Sequence, residues 1–329
     1  MDFTRYPKVE LHLHLDCSIS YAAARALQPG LSEQAYRERF VAPAKCRDLT
    51  DFLARAQAGV NLLQSRQALS VTARELMRLL AEDGVIYAEI RFAPLLHTRK
   101  GLSGQEVVDT VLQALQDSPQ AGQVQTQLIL CTLRSFSEAQ GVATAQLAEQ
   151  YHGQGVCGYD IAGDEASYPL EPHVAGFHYA YRAGIPSTAH AGEARGPESV
   201  RQSLRELQLQ RIGHGVRISE SEEVYQQVRR SGIHLEVCPT SNIQTDIYES
   251  MEQHAINRLY RDGFPLSVNT DGRSLCGVSL TDEYRKLQQA FGWGQEELLR
   301  CNLYAVDAAF TDDATKDRLR QQLREGWAK

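Results

Sequence analysis

The chain reads as an α/β protein, a (β/α)8 TIM barrel with extra helices and its reactive end at the C-terminal ends of the strands. Three observations predict this. Short apolar runs rich in β-branched residues alternate with longer helical patterns, the signature of βαβ units and a parallel sheet. Eight such runs occur along the chain, and its 329 residues suit a closed barrel occupying 1–329 as one domain. Titratable or metal-competent residues stand at the ends of several runs, where barrels carry their chemistry. The competing architecture is a doubly wound open sheet. Its Gly-x-Gly-x-x-Gly turn after the first strand is missing, because that run ends in His12, His14 and Asp16.

The first run, Lys8–Leu15, alternates apolar and polar residues, which is the strand period. Residues two apart share a face, so His12 and His14 project side by side, roughly 6–7 Å apart along the strand. Two imidazoles so placed can share one borderline metal ion such as zinc. The second to fourth strands are expected at Ile86–Ala93, Gln127–Leu133 and Gly158–Ala162. The fifth, Ile185–His190, runs into His190-Ala191-Gly192-Glu193. The sixth, Arg211–His214, ends in a histidine between two glycines. The seventh is His234–Cys238, and the eighth, Leu266–Thr270, is followed by Asp271-Gly272. Between the runs lie helical stretches such as Val71–Glu82, where Leu76, Leu79 and Leu80 recur at helical spacing, and the chain from Gln295 onward is also helical in pattern. Taken singly, His190, Glu193, His214 and Asp271 have ordinary structural explanations. In a barrel, all of them converge on one mouth.

Composition excludes several classes of partner. The net charge is −7, which argues against nucleic acid. No run approaches the ~20 apolar residues of a membrane span, and the start of the chain lacks a basic then apolar leader. Seven cysteines with no Cys-x-x-Cys pair fit neither a disulfide framework nor a zinc finger. The expectation is a cytoplasmic protein whose partner is a small molecule. Its oligomeric state is not legible.

The ordered set of motifs resembles the adenosine deaminase-like branch of the metal-dependent amidohydrolases. It comprises His12-Leu13-His14-Leu15-Asp16, Asp160-Ile161-Ala162-Gly163-Asp164-Glu165, His190-Ala191-Gly192-Glu193, Arg211-Ile212-Gly213-His214-Gly215, Cys238-Pro239-Thr240-Ser241-Asn242 and Asn269-Thr270-Asp271. These segments span nearly the whole chain. The resemblance implies one zinc ion held by His12, His14, His190 and Asp271, with an open position for water. It implies that Glu193 gives a proton to a purine ring nitrogen and that His214 is a base or electrostatic partner of the attacking oxygen. Asp271 both ligates and accepts a hydrogen bond from that water.

Asp16 and Gly163 are implied to contact sugar and purine, and Leu49 and Phe52 to form an apolar lid. The reaction implied is zinc-dependent hydrolytic deamination of adenosine or a close 6-aminopurine nucleoside to inosine and ammonia. The alternatives are the same chemistry on another 6-amino or N6-substituted purine, or a non-catalytic purine-binding protein.

Two departures stand out. Where many relatives carry a second aspartate facing purine N7, this chain has Gly272, and where they carry glycine after Asp16 it has Cys17. The expectation is that Cys17 narrows the pocket near the sugar.

Overall fold

A computed structural model of the chain describes residues 2–328. Its strands are β1 (Lys8–His14), β2 (Val85–Phe92), β3 (Gln125–Leu133), β4 (Val156–Ala162), β5 (His190–Ala191), β6 (Arg211–His214), β7 (His234–Val237) and β8 (Leu266–Val268). They form two four-stranded sheets in sequential order, β1-β2-β3-β4 and β5-β6-β7-β8, with every pairing parallel. Two seams join the sheets into a barrel. At one, Tyr159 N–H donates to Pro186 O and Thr188 N–H donates to Tyr159 O, both at 3.0 Å. At the other, His14 N–H donates to Asp271 O at 2.7 Å and Asp271 N–H to His12 O at 3.1 Å.

β5 is the one strand that departs clearly from expectation. It covers only His190–Ala191, although Ile185–His190 was expected. Pro186 explains the difference: it has no N–H to give a ladder, and the preceding stretch retains only a single bridge, Tyr159 to Ser187. The helix expected over Val71–Glu82 begins earlier, at Arg66. Ser65 caps it by accepting Ala68 N–H at 3.2 Å, satisfying one of the free amides of the first turn. Beyond Gln295 the chain forms the helices Gln295–Ala308 and Asp313–Trp327. Among the described residues, no helix is long and apolar enough to cross a membrane.

Alternation within the strands sets the layers. Leu13, Ile90, Leu130, Ile161, Ile212 and Leu235 are fully buried in one apolar cluster with Leu69, Leu76 and Leu80 of the helix Arg66–Glu82. Each such side chain contributes about 1.5–3 kcal/mol on burial. Charged residues fill the space between the strands. Arg91, Asp160, Arg211 and Glu236 are all fully buried.

A further buried carboxyl, Glu283 on the helix Leu280–Phe291, accepts Thr240 N–H at 3.1 Å. It thereby anchors the helix Pro239–Gln244. Burial pushes Glu283 from an ordinary 4.5 up to about 7, against the pull of Lys286 and Thr240. The folded protein therefore holds a proton that the unfolded chain has released, and this contribution to stability is lost as pH rises from about 4.5 to about 7. Glu283→Gln keeps an acceptor without the charge. We expect it to gain roughly 3 kcal/mol over wild type on going from about pH 4 to about pH 8, as measured by urea unfolding. Parallel pH–stability curves for the two proteins would refute this account.

Candidate active site

Strand direction brings the ends of β1, β5, β6 and β8 to one mouth. There His12, His190, His214 and Asp271 each offer a ligand atom, all within 4.8 Å of one another. His14 joins the same cluster, its Nε2 lying 3.2 Å from His190 Nε2 and 3.3 Å from Asp271 Oδ1. The rings of His12 and His14 are 5.4 Å apart between centroids, as the strand period requires. The cluster therefore has five members, and His214 stands in it beside the expected four.

Backbone geometry aims two of the five. His214 and Asp271 have left-handed φ values of +60° and +63°, which non-glycine residues rarely adopt and which cost about 1–3 kcal/mol each. Such residues concentrate at functional sites. Gly213, just before His214, leaves room for the His12 ring, since a Cβ there would lie 3.1 Å from His12 Cε1.

Carboxylates stand behind two of the histidines. His12 Nδ1 is 2.9 Å from Glu236 Oε2, and His190 Nδ1 is 3.2 Å from Asp160 Oδ2. A carboxylate at Nδ1 holds the proton there and turns the Nε2 lone pair outward, which is how metal-binding imidazoles are oriented. Arg91 links the two carboxylates, at 2.9 Å from Asp160 Oδ2 and 2.6 Å from Glu236 Oε2. Arg211 pairs with the other Glu236 oxygen at 2.6 Å. His12 Nε2 is buried with no hydrogen-bond partner, although burying such an atom unpaired is costly. A cation among these nitrogens and the Asp271 carboxylate would satisfy it, so the donor set fits zinc.

The ionisation pattern agrees with this arrangement. Enclosure pushes the His14 ring down to about 3, leaving it neutral. Burial opposes the charge on Asp271, but the His12 ring, whose own pKa is raised and whose Nε2 lies 3.4 Å from Asp271 Oδ1, holds the carboxyl well below its usual range. Ser241 Oγ also donates to Asp271 Oδ2 at 2.7 Å. Glu193 behaves oppositely. Burial, with Asp271 and Glu165 nearby, drives it well above the carboxylate range despite Arg134. Two buried acids in one site are thus set apart, one charged and one protonated, the division of labour an acid–base site needs.

His14, His190, Glu193, His214 and Asp271 line a cavity of about 660 Å³, a volume suited to a small ligand. A larger depression of about 790 Å³ lies at the opposite end of the barrel, among Val156, Ile185 and Gln210, away from His12, His14, His190 and His214.

The family model for adenosine deaminase matches residues 7–326. The chain belongs to the adenosine deaminase family. It is 33% identical to the adenosine deaminase of Clostridium perfringens, over 98% of this chain and 99% of that protein. Among solved structures, it is similar to the adenine deaminase of Arthrobacter aurescens, with a TM-score of 0.89 and 26% identity, covering 98% of this chain and 100% of that one. It is also similar to the Arabidopsis N6-mAMP deaminase, with a TM-score of 0.88 and 26% identity, covering 99% and 100%. The protein is a hydrolytic purine deaminase built on the barrel of this family.

The other residues singled out in sequence fall on the same deaminase cavity. Asp16, Leu49, Phe52, Gly163 and Gly272 all line it. Asp16 Oδ2 lies 3.7 Å from His97 Nε2. Leu49 and Phe52 lie on the helix Leu49–Leu62, packed in a small apolar cluster with Leu275 and Val278. Thr50 Oγ1 on that helix donates to Asp164 Oδ2 at 3.0 Å, tying it to the loop after β4.

Sequence reasoning missed the supports. Glu165 accepts the N–H groups of Gly192, Glu193 and Arg195 at 2.8, 3.0 and 2.8 Å, fixing the loop that carries Glu193. The roles of Glu236 and Arg91 were also unread. Their signal was a charged residue inside an apolar run, Glu236 sharing a strand face with His234 and Arg91 lying within Ile86–Ala93.

The two departures turn out to be one. A Cβ at position 272 would lie 2.6 Å from Cys17 Cβ and 3.1 Å from Cys17 O, so the side chains at 17 and 272 share one volume. We expect Gly272→Asp to destabilise the deaminase by about 1–3 kcal/mol through overpacking, and Cys17→Gly in the same chain to recover most of that loss. Thermal unfolding of the four proteins in the cycle checks it, and strictly additive effects would refute the shared volume.

Proposed function

We propose that this deaminase hydrolyses the 6-amino group of adenosine or a close 6-aminopurine nucleoside, giving the inosine-type product and ammonia. One zinc ion would be held by His12, His14, His190 and Asp271. The observation that carries the reading is Glu193, a buried carboxyl driven well above its usual range, lining the same cavity as the metal-competent cluster. A protonated acid is what attack at C6 of a purine requires, because the attack pushes electrons onto ring nitrogen N1.

Bound zinc supplies Lewis acidity, lowering the pKa of water from 15.7 toward about 7. The protein's own groups do the rest. Asp271 accepts the proton of the attacking water as its oxygen bonds to C6. Glu193 gives its proton to N1, so no ring anion forms. Asp271 then passes its proton to the departing amine, the C6–N bond breaks, and ammonia leaves. The remaining hydroxyl proton restores Glu193 as C6=O forms, and N1 keeps its hydrogen.

Asp16 favours a nucleoside over a nucleotide, since its carboxylate would repel a 5′-phosphate. Arg99 also lines the cavity, and this cation favours a substrate that carries an anionic group. The test is turnover of adenosine, 2′-deoxyadenosine, adenine and AMP, followed by ultraviolet absorbance. Adenosine should react fastest, with activity lost on chelation and restored by zinc. Bound zinc with no turnover of adenosine would overturn the substrate assignment.

Glu193→Gln should lower kcat by roughly 10²–10⁴-fold with zinc content unchanged. In wild type, kcat/KM should fall as pH rises through the elevated Glu193 value, because the acid form is the active one. A Glu193→Gln protein with full activity would remove the acid role.

A further inference from the structure

Behind His214 runs a buried chain of polar side chains. Ile256 N–H donates to His254 Nδ1 at 3.0 Å. His254 Nε2 lies 3.2 Å from Asn242 Oδ1, and Asn242 Nδ2 lies 3.0 Å from His214 Nδ1. His254 is 3% exposed, and Asn242 and His214 are fully buried.

Proton accounting along this chain has one solution. A backbone N–H can only donate, so His254 Nδ1 carries no proton and the ring proton sits on Nε2. That proton needs an acceptor, which orients the Asn242 oxygen toward His254 and the Asn242 amino group toward His214. The opposite amide orientation would make His254 accept at both nitrogens, leaving the ring without a proton. The Asn242 amino group therefore donates to His214 Nδ1. A nitrogen that accepts has no proton, so His214 is neutral and carries its one ring proton on Nε2. His214 Nε2 is buried, has no hydrogen-bond partner, and lies 3.7 Å from Glu193 Oε1.

This separates His214 from its neighbours. His12 and His190 have carboxylates at Nδ1 and so turn lone pairs into the site. His214 has an amide donor at Nδ1 and turns an N–H into the site.

We propose that Asn242 and His254 are positioning residues that lock His214 as its Nε2–H tautomer, so that His214 meets the attacking oxygen as a hydrogen-bond donor. It neither ligates the metal nor takes the water's proton. The role toward the oxygen rests on the reading of the site given above. The tautomer itself does not.

The donor holds a lone pair of the attacking oxygen and stabilises charge on it, leaving Asp271 to receive the proton. A donor aimed in advance at developing charge costs no reorganisation when the reaction occurs.

The test uses the full chain with 15N-labelled histidine, metal-free and zinc-loaded. The His214 signals are assigned by their loss in His214→Gln. The expected pattern is an unprotonated Nδ1 and a protonated Nε2 on His214, and, in the zinc-loaded protein, the reverse on His12 and His190. A proton on His214 Nδ1 in the wild type overturns the proposal.

Asn242→Asp replaces the donor at Nδ1 with an acceptor and should draw the proton there. We expect kcat on adenosine to fall roughly 10²-fold while KM changes by less than about threefold. Unchanged kcat with the proton moved would overturn the donor role. Should that variant fail to fold, His254→Gln and His254→Leu serve instead. Glutamine can still accept from Ile256 and donate to Asn242, so it should keep the His214 nitrogen pattern and leucine should not. Equal patterns in the two variants would overturn the relay. A wild-type protein inactive on adenosine would still report its nitrogen signals, so failure of the substrate reading is distinguishable from failure of the tautomer.

Discussion

The Arg91 guanidinium is the contact on which the site depends. It lies between Asp160 and Glu236, and each of those carboxylates holds one histidine. Without the cation, two buried negative charges would face each other, and Asp160 would lose the guanidinium that keeps it ionised to orient His190. Burying such groups costs several kcal/mol per ion before pairing. The cost is offset only because every carboxylate here has several partners. Glu236 alone is met by Arg91, Arg211, His12 and Thr188. The barrel interior is thus a lattice of charge, and the apolar cluster between strands and helices supplies the stability that the lattice does not.

The same residues that close the barrel also arm it. The seam between β8 and β1 is made by the backbone of Asp271 with His12 and His14, three of the residues assigned to the metal. Asp271 can serve both purposes because its left-handed backbone pairs with β1 while its side chain returns to the cavity. Shifting the seam would move the ligands together. This couples site geometry to the integrity of the whole barrel.

Partners behind the rings explain how three neighbouring imidazoles have different chemistry. Burial acts on all of them, yet a carboxylate stands behind His12 and His190 and an amide behind His214. The acids divide in the same way. Asp271 sits beside His12 and is held charged, whereas Glu193, enclosed and near other carboxylates, is held protonated by its burial first and by those carboxylates second. In each case residue type sets what is possible and the neighbour selects among the possibilities.

Much of this was legible in the chain itself. Local periodicity determined the strands and helices, because period two and period 3.6 are properties of contiguous residues. His12 and His14 were readable as a pair for that reason. The ends of β5, β6 and β8 were readable because each apolar run stops at a titratable residue. Glycine at 272 and cysteine at 17 were visible as separate oddities. Only the tertiary structure showed them filling one volume, since residues far apart in sequence touch only after the barrel closes. The same holds for Arg91 between Asp160 and Glu236, and for Asn242 and His254 behind His214. A hydrogen-bond partner is a matter of distance and direction, which no local pattern encodes. The sequence by itself determined the fold class and set His12, His14, His190, Glu193, His214 and Asp271 at or just beyond the ends of apolar runs. The folded arrangement decided which of them carry a proton, because that depends on what stands behind each ring and each carboxyl.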